Sequence, residues 1–459
     1  MTSIDAEAAV SPEETDHIPL SFNQDFLCMF DQGDDRGPFG PRYSIVYGWR
    51  VRGAIDVDVL GEALFRVVRR HEALRTVVVR AEQDRHQRVL PASPPRLRVL
   101  DLRHVDPADR DRRAEELLIE LEAGDYPVSD LPLVQVVLAQ FSDDDAVLVL
   151  TAHHTAVDGW SMHVLIQDLA VSYGAARGHD VPDLVEPAQY REYVAWERQR
   201  ASDSGAAARS RDYWRKKLQG AEILGLRTDW PKSAGRPKDT AAHRFLVDPD
   251  VTSAALALAK DTRSSAFMVM LAAYKVFLRD ATGATDIVVP TLASNRGEAR
   301  FQQTVGSFFN FIPLRTDLSG CSTFREVLKR TRAACLEAYA HQIPFAQVMA
   351  DSPNLGRTFM ADNLAVYPFQ VFQFPYVMSG ELIGDLEFSE IRRRLLPQDV
   401  GPEVPDGALW TLDLDSANHD LVGCLQYNTN VIRGESANEL VLAYLRVLRR
   451  AVLAPDAQL

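Results

Sequence analysis

Apolar positions along this chain switch between two periods, and the switches mark out its elements. From Asp56 to His71, Val57, Leu60, Leu64, Val67 and Val68 recur at spacings of three and four. That spacing predicts an amphipathic helix running into the segment RRHEALRTVV and then a strand. A proline-rich loop, Pro91 to Pro95, and a charged helix near 107 to 123 follow. Leu133 to Phe141 and Ala146 to Ala152 are apolar runs on either side of Asp143-Asp144-Asp145, the pattern of a hairpin. Met162, Leu165, Ile166, Leu169, Ala170 and Tyr173 then restore the helical spacing. Beyond a polar, Gly- and Pro-containing stretch over 219 to 240, the mixture resumes. It reads as a strand over 243 to 247, helices near 250 to 262 and 265 to 280, and a strand from Asp286 to Pro290. A hydrophobic stretch from Val305 to Leu314 and a closing helix from Ala437 to Leu453 complete it. The second half loosely echoes the first without a short period, which predicts two related α/β layers rather than a repeat array.

At 459 residues the chain exceeds a single hydrophobic core, and two domains of roughly 200 residues are the natural division. The expected organisation is a disordered acidic tail over 1–17, an N-terminal domain over 18–185, a connecting helix and linker over 186–240, and a C-terminal domain over 241–459. The composition, 46% hydrophobic and 25% charged, is that of an ordinary globular protein, and no apolar stretch is long enough to span a bilayer. The net charge of -14 opposes non-specific nucleic-acid binding. Local basic runs, Arg209 to Lys217 and Arg446 to Arg450, read as solvated helix faces and leave room for a small acidic protein partner. Cys28, Cys321, Cys335 and Cys424 lack paired spacing, and residues 1 to 17 lack an apolar signal core. Both features predict reduced thiols and a cytoplasmic location.

Candidate chemistry concentrates in residues 153 to 159, His-His-Thr-Ala-Val-Asp-Gly, where the buried strand emerges into a turn before a helix. Alternation along a strand sends His153 and His154 to opposite faces, so one meets a cavity and the other meets packing. A single histidine at a strand end is more often a satisfied core residue than a catalyst. No Cys, Glu or third His lies nearby at ligand spacing, so no metal is expected. The Asp158-Gly159 pair makes the tight turn, Gly159 allows close backbone approach, and Ser161 is the expected cap of the next helix. Serine-hydrolase, dinucleotide and nucleotide-triphosphate motifs are absent.

Six segments in order resemble motifs of the condensation domains of non-ribosomal peptide synthetases, across nearly the whole chain. The heptad extended by Trp160-Ser161 resembles HHxxxDG; Leu20 to Gln24 resembles the opening motif; Arg70 to Thr76 resembles RHExLRT. Tyr190 to Trp196 resembles YxDYAxW, Val305 to Asn310 resembles VGxFVN, and His341 to Phe345 resembles HQDYPF. Wax-ester synthases, plant-type acyltransferases and chloramphenicol acetyltransferase share forms of the heptad alone, all acyl transferases of one fold. The plant-type DFGWG motif is absent, Trp160-Ser161 follows Gly159 directly as in condensation rather than epimerisation domains, and the histidines are not the aspartates of heterocyclisation domains.

The resemblance implies two chloramphenicol-acetyltransferase-like α/β domains in a V-shaped pseudo-dimer, with a tunnel between them. It implies a donor acyl or aminoacyl thioester on the 4′-phosphopantetheine arm of a peptidyl or acyl carrier protein, and no cofactor bound by the chain itself. The acceptor is a small-molecule amine or alcohol, giving an amide or an ester, with neither nucleic acid nor membrane as partner. His154 is then the base and the Gly159 amide the oxyanion donor, while His153 is structural. Asp158 forms a buried ion pair with Arg296 that ties the turn to the second domain, Trp160 packs the turn, and Ser307 and Asn310 are candidates for the tunnel lining. The chain runs from Met1 to about where a condensation domain ends, which suggests a free-standing enzyme or, equally, a domain cut from a megasynthase. Free-standing members of enediyne-type pathways are a close analogy. Two rivals are a catalytically silent recruitment platform, against which the intact heptad counts, and a coenzyme A-dependent acyltransferase.

Overall fold

A strand apolar on both faces can be buried on both, and Asp145–His153 is buried at every position. Ala146, Leu148, Leu150 and Ala152 pack into the core shared with the helices Val57–Arg70 and Gly159–Ala176. Val147 and Val149 face Leu117 and Leu118 of the helix Arg110–Glu122 on the other side. The computed structural model describes residues 16–202, 204–374, 377–395, 397–404 and 407–459. Residues 1–15 of the expected tail lie outside the described residues; Ile18 already pairs with Gln87.

The strand sits inside a six-stranded sheet ordered Ser379–Ile383, Leu386–Glu390, Ser44–Arg52, Asp145–His153, Val134–Ser142, Arg96–Asp101. Neighbours are antiparallel except the last pair. Two of these strands come from far down the chain, with Trp49 opposite Glu390 in the register. The stretch 241–459 is therefore not packed only on itself, because its hairpin 379–390 completes the first sheet.

A four-stranded sheet orders Phe369–Phe372, Ala408–Asp415, Asp420–Asn428 and Thr240–Val247, the first pair parallel. Trp410, Tyr274 and Tyr444 fill the core between this sheet and the helices Ala266–Thr282 and Gly434–Leu453. Beside it, Asp286–Ala293 and Asn310–Asp317 form an antiparallel ribbon with Pro290 opposite Pro313. The stretch expected as a linker is built into both cores: Tyr190, Tyr193 and Val194 pack in the first, and Trp214, Ala221, Ile223 and Leu226 in the second.

The hydrophobic stretch from Val305 is strand only from Asn310. Its leading part crosses into the first core, where Val305 and Phe308 meet Tyr190 and Tyr193. Gly306 is required there, since a Cβ would lie 2.2 Å from Tyr190 Cδ2. Among the described residues no helix is long and apolar enough to cross a membrane.

Candidate active site

His153 ends its strand and His154 begins the turn. The Gly40 carbonyl, 3.1 Å away, accepts from His153 Nε2, and Thr155 Oγ1 donates to Nδ1 at 2.7 Å. Both nitrogens are thereby used inside the protein, the residue is 2% exposed, and burial pulls its pKa down to about 4.

His154 is placed differently. Its ring is only partly buried, stacks on Tyr43 with centroids 4.8 Å apart, and meets Phe309 at 5.7 Å. Nδ1 lies 2.8 Å from the Val157 carbonyl. A carbonyl only accepts, so Nδ1 carries the hydrogen and Nε2 presents its lone pair. Among the described residues nothing hydrogen-bonds to Nε2. Burial lowers the His154 pKa, against the Val157 carbonyl and the Asp158 charge, which act to raise it. The ring is a neutral base at neutral pH.

The turn is locked from the side of the second half. Asp158 caps the helix Gly159–Ala176 by accepting from Ser161 N at 2.7 Å. The expected cap, Ser161, is instead the third helical residue, because the helix begins at Gly159. Ser161 Oγ binds Asp158 Oδ1 at 2.7 Å and the Gly306 backbone at 2.9 and 3.1 Å. Arg296 sets Nη2 2.9 Å from Asp158 Oδ1, and its Nη1 donates to the carbonyls of Phe301 and Thr304. Its guanidinium lies over the Phe308 ring at 4.0 Å.

Gly159 is the first residue of the helix, and its N–H has no protein partner among the described residues. A Cβ there would lie 2.7 Å from Phe374 Cζ and 3.3 Å from the Tyr47 hydroxyl. Trp160 donates from Nε1 to the Gln302 carbonyl at 2.7 Å. Ser307 is 0% exposed and holds Asn23 Nδ2 through its hydroxyl and carbonyl at 3.0 and 2.9 Å, which corrects its reading as a tunnel wall. Asn310 clips the segment 343–345, donating to Ile343 O at 2.8 Å and accepting from Phe345 N at 2.9 Å. Its amide is therefore used on backbone groups.

Sequence reasoning passed over Tyr43, Phe374 and His163. His163 donates from Nδ1 to the Gly159 carbonyl at 2.9 Å and contacts Glu390 Oε2 at 2.9 Å through Nε2. Its signal was visible as a polar residue amid the apolar run after the heptad. Among the described residues, His17, Asp84 and His86 group with metal-ligand chemistry, on the Ile18–Gln87 bridge rather than at the heptad.

Comparison with known proteins matches residues 14–392 to the family described as Condensation domain. Malpinin synthetase of Mortierella alpina is 32% identical over 98% of this chain and 6% of its own length. Phosphinothricin tripeptide synthetase PhsC of Streptomyces viridochromogenes is 30% identical over 96% of this chain and 40% of its own length. The chain thus spans less than half the length of these curated relatives. Among solved structures, the SgcC5 protein of Streptomyces globisporus, in complex with (R)-(-)-1-(2-naphthyl)-1,2-ethanediol and sucrose, is 48% identical with a TM-score of 0.92. That match covers 96% of this chain and 100% of that one. The X-domain from teicoplanin biosynthesis, 24% identical with a TM-score of 0.74 over 98% of each chain, is a likeness of fold alone. The fold is that of two chloramphenicol-acetyltransferase-like lobes in a V.

Proposed function

The chain belongs to the condensation-domain family, and from that premise we propose that it moves an acyl or aminoacyl group from a carrier-bound phosphopantetheine thioester to a hydroxyl acceptor, forming an ester. Condensation domains are acyl and peptidyl transferases that work with carrier proteins in natural-product biosynthesis. The observation that carries the reading is the tautomer of His154, with Nδ1 held by Val157 and Nε2 left open. An alcohol needs a base at the moment of attack, whereas an amine of pKa about 8 releases its proton readily. The aryl 1,2-diol in the 48% identical structure supports a hydroxyl acceptor.

In this reading the acceptor oxygen attacks the thioester carbonyl carbon while its proton passes to His154 Nε2. The new C–O bond leaves an oxyanion facing the Gly159 N–H. Collapse breaks the C–S bond, and the departing sulfur takes the proton back from His154. The thioester is already activated, so positioning contributes most, on the order of 7 to 11 kcal/mol at best. The base adds roughly 10² to 10⁴-fold.

The test is turnover of acyl-carrier and acyl-coenzyme A donors with a panel of aryl diols and amines, followed by mass spectrometry. Ester from the carrier-bound donor is expected. Product from coenzyme A alone would overturn the donor assignment, and amide without ester would overturn the acceptor assignment.

A further inference from the structure

We propose that His163 is a positioning residue of the acyl-transfer site: its imidazolium, held by Glu390, grips the Gly159 carbonyl and, with Phe374 over the Cα, holds in place the residue whose N–H faces the oxyanion. This rests on the acyl-transfer reading above. His163 stands one turn into the helix that starts at Gly159, with Nδ1 2.9 Å from the Gly159 carbonyl and Nε2 2.9 Å from Glu390 Oε2. A carbonyl and a carboxylate both only accept, so both ring nitrogens donate and the ring is charged. The two side chains are 2% and 5% exposed.

Packing does not call for such a pair. Apolar side chains of similar volume are often as stabilising as a buried ion pair, so its charge and geometry carry the consequence. Phe374 stacks on the His163 ring at 4.5 Å, and its Cζ also stands against the open face of Gly159. Gly159 is therefore held at its carbonyl by His163 and over its Cα by Phe374, while its N–H stays open. Glu390 lies on the strand that the second half contributes to the first sheet, so the grip joins that crossover to the turn.

Other groups facing the ring are Tyr47 on the neighbouring strand, edge-on with its ring centroid 5.2 Å away, and Asp413 on the second sheet, which Arg392 pairs at 3.3 Å. Burial alone would lower the His163 pKa; the Glu390 bond and charge, with Asp413 behind, override it and raise the pKa. The raised value places the stabilisation fully below the ordinary pKa of about 6.5, to be lost as pH rises through the folded-state value.

The experiment uses the whole protein with ¹⁵N-labelled histidine, together with single-turnover acyl transfer. One ring is expected to keep both nitrogens protonated to a pH above the ordinary value of about 6.5, absent from His163→Gln and titrating at lower pH in Glu390→Gln. Both variants are expected to lose between about 10- and 100-fold in turnover rate, less than the 10² to 10³ of a lost direct oxyanion donor. Acceptor KM should hold within about twofold, as for an interaction made in the transition state. A neutral ring in the wild type, or wild-type rates in Glu390→Gln, would overturn the proposal. No ester from the wild type with any carrier-bound donor would instead overturn the acyl-transfer reading, while the nitrogen spectra still report the ion pair.

Discussion

Arg296 reaches Asp158 across 138 residues of chain, with Nη2 2.9 Å from Oδ1 and Nε 3.2 Å from Oδ2. The Arg296 side chain is 1% exposed and that of Asp158 13%. Asp158 thus caps the site helix while Arg296 fastens it to the loop after Asp286–Ala293 in the second half. Removing either partner strands a buried charge, at about 3 to 5 kcal/mol. Asp158→Ala and Arg296→Ala should each lower the urea midpoint accordingly, and Asp158→Ala/Arg296→Ala should cost less than their sum. Additive losses in this cycle would show that the two residues do not act as a pair.

Gly306 gives a sharper stability forecast. A Cβ at that position would meet a Tyr190 ring whose hydroxyl is fixed to Ser21 Oγ and Ser307 O, each at 2.9 Å. The ring has nowhere to go. Gly306→Ala should cost about 3 kcal/mol, the upper end of overpacking penalties. Gly61, inside the helix Val57–Arg70, has open space around its Cβ position. Gly61→Ala should stabilise by about 0.5 to 1 kcal/mol, and chemical denaturation of the two variants checks the contrast.

Acid should act on fold and rate separately. The folded-state pKa of His153 is depressed to about 4 by burial. Its contribution is fully present above the ordinary value of about 6.5 and is lost as pH falls toward 4, about 3 kcal/mol in all. With His154 as the proposed base, whose pKa is also lowered by burial, the acid limb of the rate should fall below pH ~6.5. Stability curves and pH-rate profiles, with His153→Gln as the control, distinguish the two residues. A fold equally stable at pH ~7 and ~4 would contradict the assignment of His153 as a buried neutral ring.

Gly159 links shape to rate. Phe374 Cζ lies 2.7 Å from where its Cβ would stand. Gly159→Ala should push the aromatic ring away, disturb the proposed oxyanion donor and lower turnover by roughly 10² to 10³-fold, as for a lost oxyanion-hole donor. Unchanged turnover by rapid-quench assay would remove Gly159 from the chemistry.

Much of this fold was legible because its signals are local. The spacing of Val57, Leu60, Leu64, Val67 and Val68 marks a helix, and the acidic turn after Phe141 marks the hairpin that ends in His153. The pairing of Leu386–Glu390 with Ser44–Arg52 was not legible, since Gly384-Asp385 signals a turn but no local pattern names a strand's distant neighbour. The same distance hid Glu390 behind His163. The partners of Asn310 were hidden for the same reason: a polar residue in a motif can equally satisfy backbone, and only coordinates show that Asn310 clips Ile343 and Phe345.

Proton removal in the proposed transfer depends on the open nitrogen of His154. His154→Asn keeps an N–H that can reach the Val157 carbonyl while deleting Nε2, so fold and chemistry are tested apart. Single-turnover transfer from an acyl-carrier donor to an aryl diol should fall by roughly 10² to 10⁴-fold, with the thermal midpoint near that of the wild type. A folded His154→Asn variant that forms ester at the wild-type rate would contradict the account.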